Sequence, residues 1–463
     1  MTKWLRRISI AFGVIVLLGL ALIGILSTTR GTPVRSVFAK GDPSGVPSVT
    51  DSVFARTMGQ YTSAPVEPGN RIEVLANGNG TYPPLWRDLR AAKRTITVQM
   101  YYSEPGATAD TMAAILIERA RAGVRVLVLL DAFGSGPLKG EWTDRLVAGR
   151  VELKWLRPLH WYTLHKASKR SHARVVVVDG RVGYTGGFGL ADYWQGDGRS
   201  KDHWRETNVR VMGPVVGQLQ IAFAVGWAEA AGQLLTGDTF FPAIAFEERG
   251  PTQAALLHAM PSVGSTQAER FLALTISGAR RTLYITNSYF VPDDDFRNLL
   301  VRASRRGVDV RVLTTGEETD IKSTLLAGRN SYEQLLAGGV RIYEYEPTMM
   351  HAKTIVADGV WSTVGSMNFD NRSLAFNNET NIVTPDPAVG AVLDSMFLGD
   401  LKFARERTLE EFKRRSLWQR AKENVAAPGT GAGDDWAGPA TAVAAAVGAQ
   451  ALTAAIVASH AGD

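Results

Sequence analysis

The chain contains no cysteine. Disulfides, thiolate metal sites and cysteine nucleophiles are therefore excluded outright. Histidine is scarce too: seven residues among 463, scattered, with no obvious metal cluster. Charged residues make up only 21% against 45% hydrophobic, which excludes a disordered chain. An acidic surplus is also missing. The formal net charge is +6, which favours an anionic partner such as acidic lipid, nucleic acid or a phosphorylated substrate. Strongly apolar runs are limited to one. Lys3, Arg6 and Arg7 precede an uncharged stretch from Ile8 to Thr29, apolar as far as Leu26. It is about long enough to cross a hydrocarbon core and lacks a small-residue cleavage site, so residues 1–29 read as an uncleaved membrane anchor. Arg30, Arg35 and Lys40 follow it. The positive-inside rule leans towards a cytoplasmic N-terminus and a catalytic body on the outer face of the cytoplasmic membrane.

A chain of this length exceeds one small core and suits two halves of a pseudo-symmetric body. Residues 30–70 are rich in Pro, Gly, Ser and Thr and read as a linker. From Arg71 a strand–helix–strand order begins: a strand at 94–102, a helix at 111–121, a buried strand at 124–130. The order returns at 281–286, 296–305 and 306–313. Arg121-Ala122-Gly123-Val124-Arg125-Val126 matches Arg305-Arg306-Gly307-Val308-Asp309-Val310. This is an internal duplication, so each half is expected to be an α/β sandwich with a mixed sheet. The expected divisions are a first half at 71–241, a connection at 242–264 and a second half at 265–424. A mixed-charge surface helix is expected from about Val389 to Glu423. The tail at 425–463 is rich in Ala and Gly, and its uncharged part from Ala437 to Ser459 is too weakly apolar to read as a second span.

The duplication reaches the chemistry. His172-Ala173-Arg174 runs through four valines to Asp179-Gly180, then to Gly186-Gly187-Phe188-Gly189. His351-Ala352-Lys353 runs to Asp358-Gly359, then to Gly365-Ser366-Met367-Asn368. Each histidine precedes its basic residue by 2, its aspartate by 7 and its glycine loop by 14. A third element repeats as Arg205-Glu206-Thr207-Asn208 and Asn378-Glu379-Thr380-Asn381. On a strand, residues i and i+2 share a face, so each histidine points the same way as its cation. Asp-Gly predicts a turn, so each motif is expected to fold back as a hairpin that delivers the glycine loop. Pseudo-symmetry would then place two histidines and two cations around one cleft. One imidazole could attack a phosphorus while the other protonates the leaving oxygen. The cations and loop amides would neutralise phosphoryl charge, and Glu206 and Glu379 would each fix a histidine tautomer. No metal and no cofactor is required. A single His-x-Lys is usually incidental; two at matched offsets are not. Asp179 and Asp358 belong to the motifs, but their places at turns favour a structural role.

These residues resemble the phospholipase D superfamily, whose signature of this type occurs twice, and most closely the bacterial cardiolipin synthases. Further support comes from Tyr289-Phe290-Val291-Pro292, Met349-Met350-His351, Asn371-Arg372-Ser373 and Trp204-Arg205-Glu206. The resemblance covers roughly residues 70 to 420. It implies two phospholipase D-type α/β halves sharing one active-site cleft; the N-terminal transmembrane helix is read from the apolar run alone. It also implies a phosphohistidine intermediate, with His172 as nucleophile and His351 as acid and base. The implied partners are an anionic phospholipid of the phosphatidylglycerol type and the membrane, with no nucleic acid. Arg174 stands where the family has lysine, and Gly189 where it often has asparagine. Arginine keeps the charge but is a planar fork. Two other readings stay open here: a metal-independent nuclease on the same scaffold, and a lipid-binding member whose first half-site has decayed.

Overall fold

The computed structural model describes residues 33–38, 45–158, 169–262 and 264–426, with Trp4 and Gly13. Apart from Gly13, the uncharged run from Ile8 to Thr29 lies outside the described residues, as does the tail beyond Ala426. Among those described, no helix is long and apolar enough to cross a membrane.

The first half holds β1 (Glu67–Ala76), β2 (Thr95–Met100), β3 (Arg125–Asp131), β4 (Glu152–Leu156), β5 (Val175–Val178), β6 (Val182–Gly186) and β7 (Thr207–Met212). The second holds β8 (Thr252–Ala259), β9 (Thr282–Asn287), β10 (Asp309–Thr315), β11 (Arg341–Tyr345), β12 (Lys353–Ala357), β13 (Trp361–Gly365), β14 (Glu379–Thr384) and β15 (Ala404–Arg407). They form one sheet in the order β15-β11-β10-β9-β12-β13-β14-β8-β1-β7-β6-β5-β2-β3-β4. Read outward from the antiparallel β1–β8 contact, the two sides follow the same succession, with β15 added at one edge. The duplication is thus a mixed α/β fold with a pseudo-twofold at its centre.

Each motif strand is buried on both faces, as its apolar run predicts. Val176 and Val178 enter one core with the helix Ala107–Arg121. Val175 and Val177 enter another, with the helix Val215–Ala231. That second core is common to both halves. It also takes Val356 of β12, Ile382 of β14 and Leu393 of the helix Pro387–Asp400. The Asp-Gly turns form as expected. Asp179 and Gly180 have φ of 54° and 65°, Asp358 and Gly359 of 57° and 71°, a left-handed region that Asp tolerates and Gly favours.

Three expectations are corrected. Within the expected linker, Ser52–Thr62 is a helix. Its Phe54 is buried edge-on to Trp361, with ring centroids 4.9 Å apart, so a segment preceding the first half packs on the second. One buried phenylalanine stabilises such a contact by about 2 kcal/mol, and no local pattern reveals it. Within the expected connection, Thr252–Ala259 is the central strand β8. Its Ala- and Leu-rich composition carries little β-propensity, and pairing with β1 and β14 imposes the strand. The expected long helix at 389–423 is divided into Pro387–Asp400, the edge strand β15, Leu409–Lys413 and Leu417–Ala426. Charge alternation is equally compatible with an edge strand: Arg341 and Glu406 pair across β11 and β15 at 2.8 Å.

Candidate active site

His172 and Arg174 lie just before and at the entrance to β5, and His351 and Lys353 occupy the matching places at β12. All four side chains are buried. Main-chain bridges stitch these segments across the pseudo-twofold. The amide of Asn378 donates to the Arg170 carbonyl (2.9 Å), and that of His351 to the Arg205 carbonyl (2.7 Å). The start of each motif strand therefore runs beside the glutamate strand of the opposite half.

The carboxylates are crossed as a result. His172 Nδ1 lies 3.0 Å from both oxygens of Glu379, and His351 Nδ1 lies 2.5 Å from Oε2 of Glu206. A carboxylate only accepts, so each Nδ1 carries the proton and each Nε2 presents its lone pair. Arg174 Nη1 donates to His172 Nε2 at 3.1 Å and to the His172 carbonyl at 2.9 Å. Lys353 Nζ donates to Ser288 Oγ at 2.7 Å and to the His351 carbonyl.

Burial dominates the electrostatics. It holds both imidazoles well below their usual range, reinforced by the charges of Arg174 and Lys353. It pushes Glu206 and Glu379 up to about 7 against the pull of those cations, and brings Lys353 down to about 7. Each His–Glu pair therefore gives and takes protons as a unit.

The glycine loops serve the carboxylates. A Cβ at Gly187 would stand 2.4 Å from Glu206 Oε2, and one at Gly365 would stand 2.2 Å from the Thr380 carbonyl. At Gly186 it would meet Asn208 at 2.0 Å. Ser366 Oγ donates to Glu379 Oε2 at 2.5 Å. The expected amide cradle for phosphate is corrected. The amides of Ser366, Met367 and Asn368 already donate to the Thr380 carbonyl, Asn381 Oδ1 and Ser373 Oγ. These three donors are therefore engaged within the second half's own loop and glutamate strand. Asn368 itself is buried, and its Oδ1 has no hydrogen-bond partner among the described residues.

The two motif aspartates sit at the far ends of β5 and β12, roughly 20 Å of strand from the histidines. Asp179 accepts the amides of Lys93, Arg94 and Thr95 at 2.7–2.9 Å. Asp358 does the same for Arg280, Arg281 and Thr282 at 2.7–3.0 Å. They tie the turns to the starts of β2 and β9 and do not reach the site. Asp358→Asn should cost about 2 kcal/mol in urea unfolding while leaving turnover per folded molecule unchanged. Unchanged stability with lost turnover would make Asp358 catalytic after all.

Several site residues escaped sequence reasoning. Tyr101 lies edge-on to His172 (4.7 Å) with Arg174 over its ring (5.6 Å). Trp194 and Trp204 flank His351 at 5.4 and 5.2 Å. Asn208 and Asn381 brace the loops by accepting the amides of Phe188 and Met367. The asparagines had a signal in the repeated Glu-Thr-Asn, and Trp204 had one in the stretch Trp204-Arg205-Glu206; Tyr101 and Trp194 break the repeat and had none.

These aromatics account for both departures in the first half. Tyr101 stands where the repeat has Ser288. The broad guanidinium thus lies over a ring, whereas the compact ammonium of Lys353 donates to a hydroxyl. Gly189 leaves room for an indole, since a Cβ there would meet Trp194 at 2.5 Å. Trp194 and Ser373 each stand five residues on, from Gly189 and Asn368 respectively. Trp194 Nε1 donates to Glu206 Oε2 at 3.3 Å, and Ser373 Oγ donates to Glu379. The first half-site is refitted with aromatics: the indole of Trp194 replaces the Ser373 hydroxyl as donor to the carboxylate, and Gly187 stands where the second half has Ser366.

Comparison with known proteins agrees with this geometry. The family described as "Cardiolipin synthase, PLD-like domain" matches residues 85–223 and 272–401. Cardiolipin synthase A of Pseudomonas syringae pv. syringae is 31% identical over 387 residues, 81% of this chain and 79% of that protein. Cardiolipin synthase of Geobacillus kaustophilus is 32% identical over 376 residues, 80% and 74% of the two chains. The crystal structure of phosphatidylserine synthase from Haemophilus influenzae Rd KW20 superposes with a TM-score of 0.61 at 12% identity. It covers 81% of this chain and 100% of that one. The chain belongs to the phospholipase D-like family, in its cardiolipin synthase group, and is a phospholipid transferase of the phospholipase D type.

Proposed function

We propose that this enzyme is a membrane-anchored phosphatidyltransferase that passes the phosphatidyl group of a phosphatidylglycerol-type lipid through a phosphohistidine. The observation that carries the reading is the crossed pair of His–Glu dyads with one buried cation beside each. In the first step His172 Nε2 attacks phosphorus. The P–N bond forms and the P–O bond to the headgroup breaks; the His351–Glu206 pair enters this step holding one extra proton, carried on His351 Nε2, and delivers it to the departing alkoxide. In the second step an alcohol gives its proton back to His351 and attacks phosphorus, and the P–N bond breaks. A second phosphatidylglycerol as acceptor yields cardiolipin; water yields phosphatidic acid.

Arg174 and Lys353 neutralise the equatorial oxygens during both steps. Arg174 already aims an N–H at the attacking nitrogen, so an incoming phosphoryl oxygen takes over that hydrogen bond as the lone pair is released. Glu379 holds His172 in the tautomer that attack requires, and Glu206 stabilises the second proton on His351. A decayed half-site is disfavoured, because each change at Arg174 and Gly189 is met by a matching aromatic. The run from Ile8 to Leu26 supplies the anchor, and the body faces the outer side of the cytoplasmic membrane.

Purified full-length protein, incubated with phosphatidylglycerol and phosphatidylcholine, should release headgroup and form cardiolipin or phosphatidic acid. Turnover of neither lipid overturns the reading. Chelator-resistant cleavage of DNA with lipids untouched would establish the nuclease instead.

A further inference from the structure

The last described helix, Leu417–Ala426, has no role in the site yet is built like an interfacial element. Its inner face is fixed. Glu423 is fully buried and ion-pairs with Arg415, which also reaches Glu333 on the helix Lys322–Ala337 at 2.8 Å. Ala426 packs against Val291 and Ala327. Its outer face is apolar where a solvated helix would be polar: Leu417 is 87% exposed, Trp418 71% and Val425 77%. Lys422 Nζ sits 5.4 Å over the Trp418 ring. Lys413 and Arg414, just before the helix, are exposed, whereas Arg420 turns inward to Glu333 at 3.5 Å. Glu410 and Glu411 are the nearby acids, and Glu411 is engaged by Arg405 at 2.5 Å.

Two further observations place this face. Val291 is two residues from Tyr289, whose ring lies 6.5 Å from His351 and whose hydroxyl donates to Asp320 at 2.6 Å. Ile321, next in sequence, is itself 43% exposed. The helix therefore lies at the rim of the site. The chain arriving from the N-terminus crosses the same helical layer. Arg302 Nη2 donates to the Arg35 carbonyl at 2.8 Å, and Arg297 Nε on the same helix, Asp294–Arg305, donates to Gln334 Oε1 at 2.6 Å. Arg35 is six residues from Thr29, a reach of at most about 20 Å. A bilayer holding the run before Thr29 stands close to this layer.

We infer that Leu417, Trp418 and Val425 insert into the headgroup region of an anionic bilayer beside the active-site mouth, with Lys413, Arg414 and Lys422 on lipid phosphates. The apolar stripe flanked by cations fits an acidic lipid surface better than a protein partner. The anchor alone tethers the body, whereas this second contact orients it, so that a headgroup meets His351 without leaving the membrane. The inference rests on the lipid-substrate reading.

The test uses the full chain in proteoliposomes of phosphatidylglycerol and phosphatidylcholine carrying brominated acyl chains. The quenchable share of tryptophan emission should fall in Trp418→Phe relative to the unaltered protein. Replacing phosphatidylglycerol by phosphatidylcholine should abolish that difference. Replacing Leu417, Trp418 and Val425 together by glutamine should lower turnover of vesicle lipid at least about tenfold, the effect of losing one interfacial apolar side chain. Turnover of monomeric short-chain phosphatidylglycerol should be unchanged. No Trp418-dependent quenching overturns the inference, whether or not any lipid is turned over. So does loss of self-association in the triple variant by sedimentation, which would assign the face to a second copy. If neither vesicle nor short-chain lipid is turned over, the proposed function fails, and the quenching still decides the contact.

Discussion

His172→Asn and His351→Asn should each lower phosphatidyl transfer by about 10⁴-fold or more, yet leave opposite traces on the protein. Asparagine keeps much of the imidazole's polar volume but can neither attack phosphorus nor relay a proton. With donor lipid labelled in the phosphate, His172→Asn should carry no label after denaturation in base. His351→Asn should retain label and release it slowly, because the departing and incoming oxygens have lost their acid and base. The size of the loss follows from the two histidines acting as one unit, where removing either costs nearly as much as removing both. The reverse pattern of labelling would exchange their roles, and label on neither variant rules out the covalent route. Both variants should fold, since the Glu206 and Glu379 hydrogen bonds can pass to the asparagine amide.

Arg174→Ala should lower kcat about 10²- to 10³-fold, the cost of one charge-stabilising donor in a dry site. Arg174→Lys should cost about tenfold, because a shorter ammonium over the Tyr101 ring cannot reach His172 Nε2 and the phosphoryl oxygen together. Adding Tyr101→Ser recreates the Lys353–Ser288 pairing of the second half and should recover most of that tenfold. Equal, negligible effects of the alanine and lysine variants would mean that position 174 is idle.

The pH profile separates charge from shape in the same variants. Burial brings Lys353 down to about 7, so its charge is lost as pH rises through that value. Burial also lowers Arg174, but a guanidinium retains its charge across the working range. In the unaltered enzyme one cation therefore persists at alkaline pH. In Arg174→Lys two buried ammonium groups share the pocket, and log kcat/KM should fall more steeply with rising pH above about 7. Parallel alkaline limbs in the two proteins would show that the Arg174 charge does not sustain activity there.

Much of the site was legible in the residues. The two His-x-Lys/Arg copies, their matched offsets and the Asp-Gly turns are local patterns, and strand periodicity turns them directly into geometry. The pseudo-symmetry of the two copies added the pairing into a single cleft. What escaped was non-local. Phe54 lies in a segment without periodicity and acquires its place only against Trp361. The strand β8 reads as a connection because its alanines and leucines become a strand only between β1 and β14. The loop amides looked available for phosphate until Asn381, Ser373 and the Thr380 carbonyl were found to occupy them.

By itself, then, the sequence determined a duplicated α/β body with two histidines, two cations and two glutamates, since spacing along a strand sets which side chains share a face. It could not determine which glutamate serves which histidine. The repeat makes the uncrossed and crossed pairings equivalent as patterns. Only the antiparallel meeting of β1 and β8, with the main-chain bridges at Asn378 and His351, lays each motif beside the other half's carboxylate. Nor could it determine whether Arg174 and Gly189 were losses. That depended on Tyr101 and Trp194, which stand where the repeat has Ser288 and Ser373, filling the space those two residues leave.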